Sequence, residues 1–135
     1  MSLFVILDYN TTTNHYTYTM KTFDDLKFGS HPHAQDMGVL ASISLDNGYA
    51  FSVVANDEGG DLFYGNHPNT YEVAVFNPKG DFVPLSVSDD VLAWQTPHQI
   101  TALMRQFHLD GVLHEKLLVD MRHDFNEKRV ASYQD

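Results

Sequence analysis

His31, Pro32 and His33, with Asp36 close behind, are the residues of this chain whose types and spacing come nearest to a metal site. Two imidazoles and a carboxylate supply nitrogen and oxygen ligands of the kind that zinc or non-haem iron accepts. Pro32 fixes an extended backbone that splays the two rings, and the spacing specifies no further ligand. An imidazole bonded to backbone where a loop enters a sheet is the competing reading of His31. The eight histidines lie far apart in sequence, and no Gly-x-Ser-x-Gly elbow accompanies them. Asp24-Asp25 and Asp89-Asp90 do not form a two-carboxylate pair, because neighbouring side chains point in different directions. Asp57-Glu58-Gly59-Gly60-Asp61 lacks the regular ligand spacing of a calcium loop, and its glycines do not lead into a phosphate-binding Gly-Lys-Ser/Thr end.

With 43% hydrophobic residues, the chain is too apolar for a disordered segment. At 135 residues it is read as one domain, residues 1–135. A domain of this size buries roughly two-thirds of the surface of its unfolded chain. The chain has no cysteine, so disulfides, thiolate metal sites and thiol nucleophiles are excluded. The apolar run 3–7 has no basic residues before it and falls far short of the ~20 residues of a membrane span. A soluble, intracellular location with no membrane partner is the expectation.

Eight basic residues stand against 18 acidic ones, a formal charge of −10. Residues 1–109 hold 12 acids and 4 bases, whereas residues 110–135 hold 6 acids and 4 bases. Such a surface repels phosphate backbones, which argues against direct nucleic-acid binding. It suits a basic surface on another protein, including one that itself binds nucleic acid. Asp57, Glu58 and Asp61, joined by Tyr64 in the glycine-rich loop 56–70, are the candidate partner-binding residues.

These residues must be held by regular elements. The segments 3–9 and 15–20 form an expected opening hairpin. Thr22 caps a short helical turn that Gly29 ends. Val39, Ala41, Ile43 and Leu45 alternate on one strand, and Tyr49, Phe51 and Val53 on the next, with Asn47-Gly48 as the turn. A further pair, 71–77 and 81–85, is joined across Pro78-Lys79-Gly80, with Pro84 restricting the latter to an edge or a short piece. Ser88-Asp89-Asp90 is read as a helix cap before Val91. Thr96, Pro97 and Gln99 open a helix whose stripe is Ile100, Leu103, Met104 and Phe107. Asp110-Gly111 breaks it, and a helix over 110–131 follows with Leu113, Leu117, Met121 and Phe125 along one face. That face packs on its own sheet or on a second copy. The fold class is therefore α+β, an antiparallel sheet of five to seven strands packed with C-terminal helices.

Four blocks between Phe23 and Trp94 carry a resemblance. They are Phe23-Asp24-Asp25-Leu26-Lys27-Phe28-Gly29-Ser30-His31-Pro32, Asp46-Asn47-Gly48-Tyr49-Ala50-Phe51-Ser52-Val53-Val54, Tyr71-Glu72-Val73-Ala74-Val75 and Asp89-Asp90-Val91-Leu92-Ala93-Trp94. In combination they resemble a family of small acidic proteins encoded by bacteriophages and prophages, over residues 22–107. The resemblance implies mobile-element origin, action in the bacterial cytoplasm and a small α+β domain, and it supplies no catalytic residue and no cofactor. A phage accessory protein that binds a host protein is the expected function, in its most concrete form an anti-CRISPR-like inhibitor of a defence nuclease. The alternatives are a metal- or small-ligand-binding enzyme using His31, His33 and Asp36, and an oligomeric virion component built through residues 112–130.

Overall fold

The computed structural model describes residues 20–133. The expected opening hairpin, apart from Met20, lies outside them. Five strands form one antiparallel sheet in sequential order: β1 (Gly29–Ser30), β2 (Gly38–Ser44), β3 (Ala50–Asn56), β4 (Tyr71–Phe76) and β5 (Val91–Gln95). A single long helix, α1 (Pro97–Ser132), follows. The described residues thus form an α+β domain of five antiparallel strands and a helix, with a 3₁₀ turn at Phe23–Asp25.

Alternation builds the core. Val39, Ala41, Phe51, Val53, Ala55, Tyr71, Val73 and Val75 are buried on one sheet face, and Ile100, Met104 and Phe107 of α1 are buried with them. Each of the larger side chains contributes roughly 1.5–3 kcal/mol on leaving water. The opposite face carries Ser42, Ser44 and Ser52 beside the half-buried Leu40, Val54 and Phe76. Among the described residues no helix is long and apolar enough to cross a membrane.

The caps read from sequence form. Thr96 Oγ1 accepts the Gln99 amide, and the Gln99 side chain accepts the Thr96 amide, closing the capping box at the start of α1. Thr22 and Asp25 make the same exchange around the 3₁₀ turn, which Leu26 ends three residues before Gly29. The Phe23 amide donates to Thr101 Oγ1 at 3.0 Å, tying this turn to α1. Phe23, Phe28, His67 and Tyr71 then pack ring against ring, with Phe28 stacked on Tyr71 at 5.1 Å. The first block of the resemblance therefore closes one end of the core.

The Asn47-Gly48 turn does more than reverse the chain. Gly48 has the positive φ of 92° that such a turn requires. Asn47 Oδ1 accepts the Tyr49 amide, while its Nδ2 donates to the Phe107 carbonyl at 2.8 Å. That carbonyl lies just before a kink in α1, where Asp110 leaves helical geometry at φ −141° and ψ 41°. The expected break thus forms at Asp110, where two helical segments of α1 meet at a kink. Gly111 sits against the Tyr49 ring so closely that a Cβ there would lie 2.7 Å from a ring carbon. The Tyr49 hydroxyl donates to Glu115 Oε1 at 2.7 Å, and Asn77 Nδ2 donates to Glu115 Oε2 at 2.9 Å.

One expectation is corrected and two are narrowed. Ser88-Asp89-Asp90 does not cap a helix: Val91–Gln95 is β5, paired with β4, and Asp89 Oδ1 accepts the Val91 amide within a tight loop. Val91 and Leu92 find cross-strand partners in Ala74 and Val73, which outweighs the local cap signal. Residues 81–85 pair with β4 through one antiparallel bridge, Phe76 to Phe82, the short piece that Pro84 implies, and bury Val83 and Leu85. The face Leu113, Leu117, Met121 and Phe125 does not pack on the sheet. These side chains stay 57, 51, 57 and 41% exposed, because this half of the helix is held by Leu118, Glu115 and Arg122. Arg122 donates to the Ser86 and Asp89 carbonyls and pairs with Asp90 at 2.7 Å, clasping the loop that the cap reading had assigned to a helix.

Burial, donation to Glu115 and the nearby carboxylate, in that order, push the Tyr49 phenol up to about 12. A phenol that holds its proton more tightly when folded stabilises the fold fully below pH 10, and that contribution is lost as pH rises towards 12. Tyr49→Phe is expected to cost about 1–2 kcal/mol at neutral pH. In urea unfolding the gap between the two proteins should then narrow through this alkaline window; a gap that is constant with pH would contradict the assignment.

Candidate functional site

Loop 57–70 is fastened at one buried residue, Asn56, at the end of β3. Asn56 is 5% exposed and every hydrogen-bonding group it carries is used. Its amide donates to the Gly65 carbonyl, and its own carbonyl accepts from His67. Its Oδ1 accepts the Phe63 amide at 2.9 Å, while Nδ2 donates to the Phe63 carbonyl at 2.8 Å and to Asn66 Oδ1 at 3.1 Å. Gly65 passes so near the Tyr71 backbone that a Cβ would lie 2.5 Å from its Cα. Only glycine fits this path. The expected glycine-rich loop is therefore pinned to β3 and β4 along its second half.

The pinning fixes Tyr64. Its amide donates to Glu72 Oε1 at 3.0 Å, and its carbonyl accepts the Trp94 amide at 2.8 Å. Tyr71 faces Gln95 and Val73 faces Leu92, so Glu72 alone stands opposite both Ala93 and Trp94. The extra residue is a β-bulge in the sheet's edge strand, a device that redirects side chains. Trp94 adopts the left-handed φ of 56° there, a conformation costing a bulky residue about 1–2 kcal/mol. Its indole meets the Tyr64 ring edge-on at 6.4 Å, yet Trp94 and Tyr64 remain 50 and 60% exposed. The strained backbone of Trp94 thus places two aromatic side chains side by side and partly in water.

The first half of the loop exposes acidic and apolar groups. Glu58 and Asp61 are exposed, as are Leu62 and Met37. Asp57 is half-buried and shapes the turn: its amide donates to the Met37 carbonyl, its carbonyl accepts from Gly60, and Oδ1 accepts the Glu58 amide. Of the four partner-binding candidates, Glu58, Asp61 and Tyr64 present themselves to solvent, and Asp57 supports them. Sequence reasoning missed Glu72 and Trp94. Trp94 is the single tryptophan of the chain, a signal in itself, but the bulge that displays it depends on pairing with β4.

The metal candidates make local contacts. His31 Nδ1 accepts the His33 amide at 3.1 Å, and the His31 ring packs on Phe63 at 4.8 Å. The His31 and His33 rings stand 5.8 Å apart at an interplanar angle of 57°. Asp36, at φ 69°, takes a long contact from Ser30 Oγ at 3.4 Å. Among the described residues no group of three or more histidine, cysteine or acidic side chains is gathered to hold a metal ion. His31 instead braces the same residue, Phe63, that Asn56 grips.

Asn56→Ala should leave the Phe63 amide and carbonyl without partners and cost about 1–3 kcal/mol each where they stay buried. Limited proteolysis should then cut within 57–66 faster than in the wild type, and equal cutting rates would contradict the clamp. Comparisons of the chain with protein-family models, with curated proteins and with solved structures return no match.

Proposed function

We propose that this chain is a binding protein of a phage or prophage, acting in the bacterial cytoplasm by covering a basic surface on a host protein. A nucleic-acid-handling defence nuclease, inhibited in the anti-CRISPR manner, is the target class that the reading favours. The observation that carries it is the exposed pair Tyr64 and Trp94, whose rings meet and whose backbones are bonded to each other and to Glu72, in a chain whose loop 57–70 also exposes Glu58 and Asp61. Aromatic rings give large contact area with few rotatable bonds and are enriched at interface hot spots. They also accept a lysine or arginine against the ring face, which surrounding carboxylates attract. The formal charge of −10 supports the same choice of partner, since it speeds encounter with a basic surface and discourages acidic ones.

The mobile-element part rests on the four sequence blocks. Structurally, those blocks build the scaffold: Asn47 and Tyr49 seat the helix, Phe23 and Phe28 close the core, and Tyr71 to Val75 is the central part of β4. The last block ends on the surface at Trp94, a large side chain half in solvent.

Tagged protein should capture a host protein from bacterial lysate at low salt, identified by mass spectrometry as one with a basic groove. Capture should weaken steeply as salt shortens the screening length from about 8 Å at physiological strength to about 3 Å at 1 M. Trp94→Ala and Tyr64→Ala should each weaken binding about 30-fold, the size of a 2 kcal/mol hot spot. Glu58→Lys with Asp61→Lys should slow association. Binding that ignores both salt and these four substitutions would remove this surface from the account.

A further inference from the structure

Glu72 is a half-buried carboxylate with one oxygen committed and one open. Its Oε1 accepts the Tyr64 amide at 3.0 Å, and among the described residues Oε2 accepts no hydrogen bond. The ion pairs among the described residues join Lys116 to Asp120, Arg122 to Asp90, His123 to Glu127 and Lys128 to Asp124. None of them includes Glu72. All eight lysines and arginines of the chain fall within the described residues, and residues 1–19 contain neither type. Glu72 is therefore paired with no lysine or arginine of its own chain. We propose that Glu72, Tyr64 and Trp94 together receive one arginine side chain of the partner protein, its guanidinium lying on an aromatic ring and donating to Glu72 Oε2. The inference rests on the reading of Tyr64 and Trp94 as a contact surface, and it names the residue that this surface takes.

Placement, charge and shape select arginine. The Glu72 carboxylate holds the Tyr64 amide, and the Tyr64 carbonyl holds the Trp94 amide, so the acid and both ring-bearing residues belong to one run of bonds across the bulge. The rings meet at 66° with their centroids 6.4 Å apart, a corner and not a stack, and each side chain stays at least half exposed. A half-buried carboxylate gains more from a cation bonded to it than a fully exposed one does, because water and salt screen the pair less. A guanidinium is planar, so it can lie against a ring while an N–H on its edge donates to a carboxylate oxygen. It is also weakly hydrated and loses little on entering a site that is partly dry. The ammonium of lysine is a compact, strongly hydrated charge with no flat face to lay on a ring. Lysine therefore satisfies the carboxylate at a greater cost in lost water and leaves the rings with less contact.

The full chain can be titrated with the capped peptide acetyl-Gly-Arg-Gly-amide and with its lysine counterpart, read by the emission of the single tryptophan, Trp94. The arginine peptide should change the emission at about tenfold lower concentration than the lysine peptide. Glu72→Gln keeps an oxygen for the Tyr64 amide and removes the charge, so it should weaken the arginine response about tenfold. Equal responses to the two peptides on the wild type would overturn the proposal, whatever the variant does. So would an arginine response that Glu72→Gln retains in full, or no response to either peptide. The underlying reading fails separately. Capture of a host protein that is lost in Trp94→Ala and unchanged in Glu72→Gln would overturn the arginine site and leave the contact surface standing. Arginine discrimination with no host protein captured would remove the host partner and leave the arginine site.

Discussion

The carboxamide of Asn56 is the constraint on which the presented surface depends. It sits where β3 ends and the chain must cross to β4, a place where backbone groups leave the sheet and need partners. A carboxamide offers two donors and an acceptor on one rigid plane, so a single side chain satisfies both backbone groups of Phe63 and reaches Asn66. Burial strengthens each bond and makes any of them costly to lose. From Phe63 the constraint passes to Tyr64, and from the Tyr64 carbonyl to the Trp94 amide. A left-handed tryptophan is unfavourable alone. It persists because its amide, its ring and its opposite strand are each already engaged.

The helix is seated by a comparable economy. Asn47 serves the hairpin through its oxygen and the helix through its nitrogen. Tyr49, one strand position beyond the turn, fills the space left by Gly111 and reaches Glu115, which also takes Asn77. Asn47, Tyr49, Asn77, Gly111 and Glu115 thereby fix where α1 bends. Beyond the bend the helix is gripped along one side by Leu118 and Arg122, which leaves its other flank free to display Leu113, Leu117 and Met121.

Local chemistry was the legible part of this fold. The Asn47-Gly48 turn, the Thr96 and Thr22 capping boxes and the alternation of Val39 to Leu45 depend on neighbours in sequence, and each forms as those neighbours dictate. The misread elements depend on distant partners. Asp89 and Asp90 carry a helix-cap signal, but pairing of Val91 and Leu92 with β4 and capture of the loop by Arg122, 32 residues beyond Asp90, decide the outcome. The candidate site divides the same way. Tyr64, Glu58 and Asp61 were legible as polar or aromatic residues in a glycine-rich loop. Trp94 and Glu72 join them only through a bulge register, and Asn56 reads from sequence as an ordinary loop residue. His31 shows the converse: a residue type suited to metal chemistry spends its nitrogen on a backbone amide and its ring on Phe63.

These contacts make one claim testable with the chain's own probe: the exposed tryptophan is held still by a loop whose anchor is Asn56. Trp94 is the single tryptophan, so its emission reports on this surface alone. Time-resolved fluorescence anisotropy of the wild type should decay with the tumbling of the whole domain, while a small quencher in solution still reaches the indole. In Asn56→Ala a fast component, indole motion independent of the domain, should appear. A fast component of equal size in the wild type would contradict the account, because the two rings would then form no fixed surface.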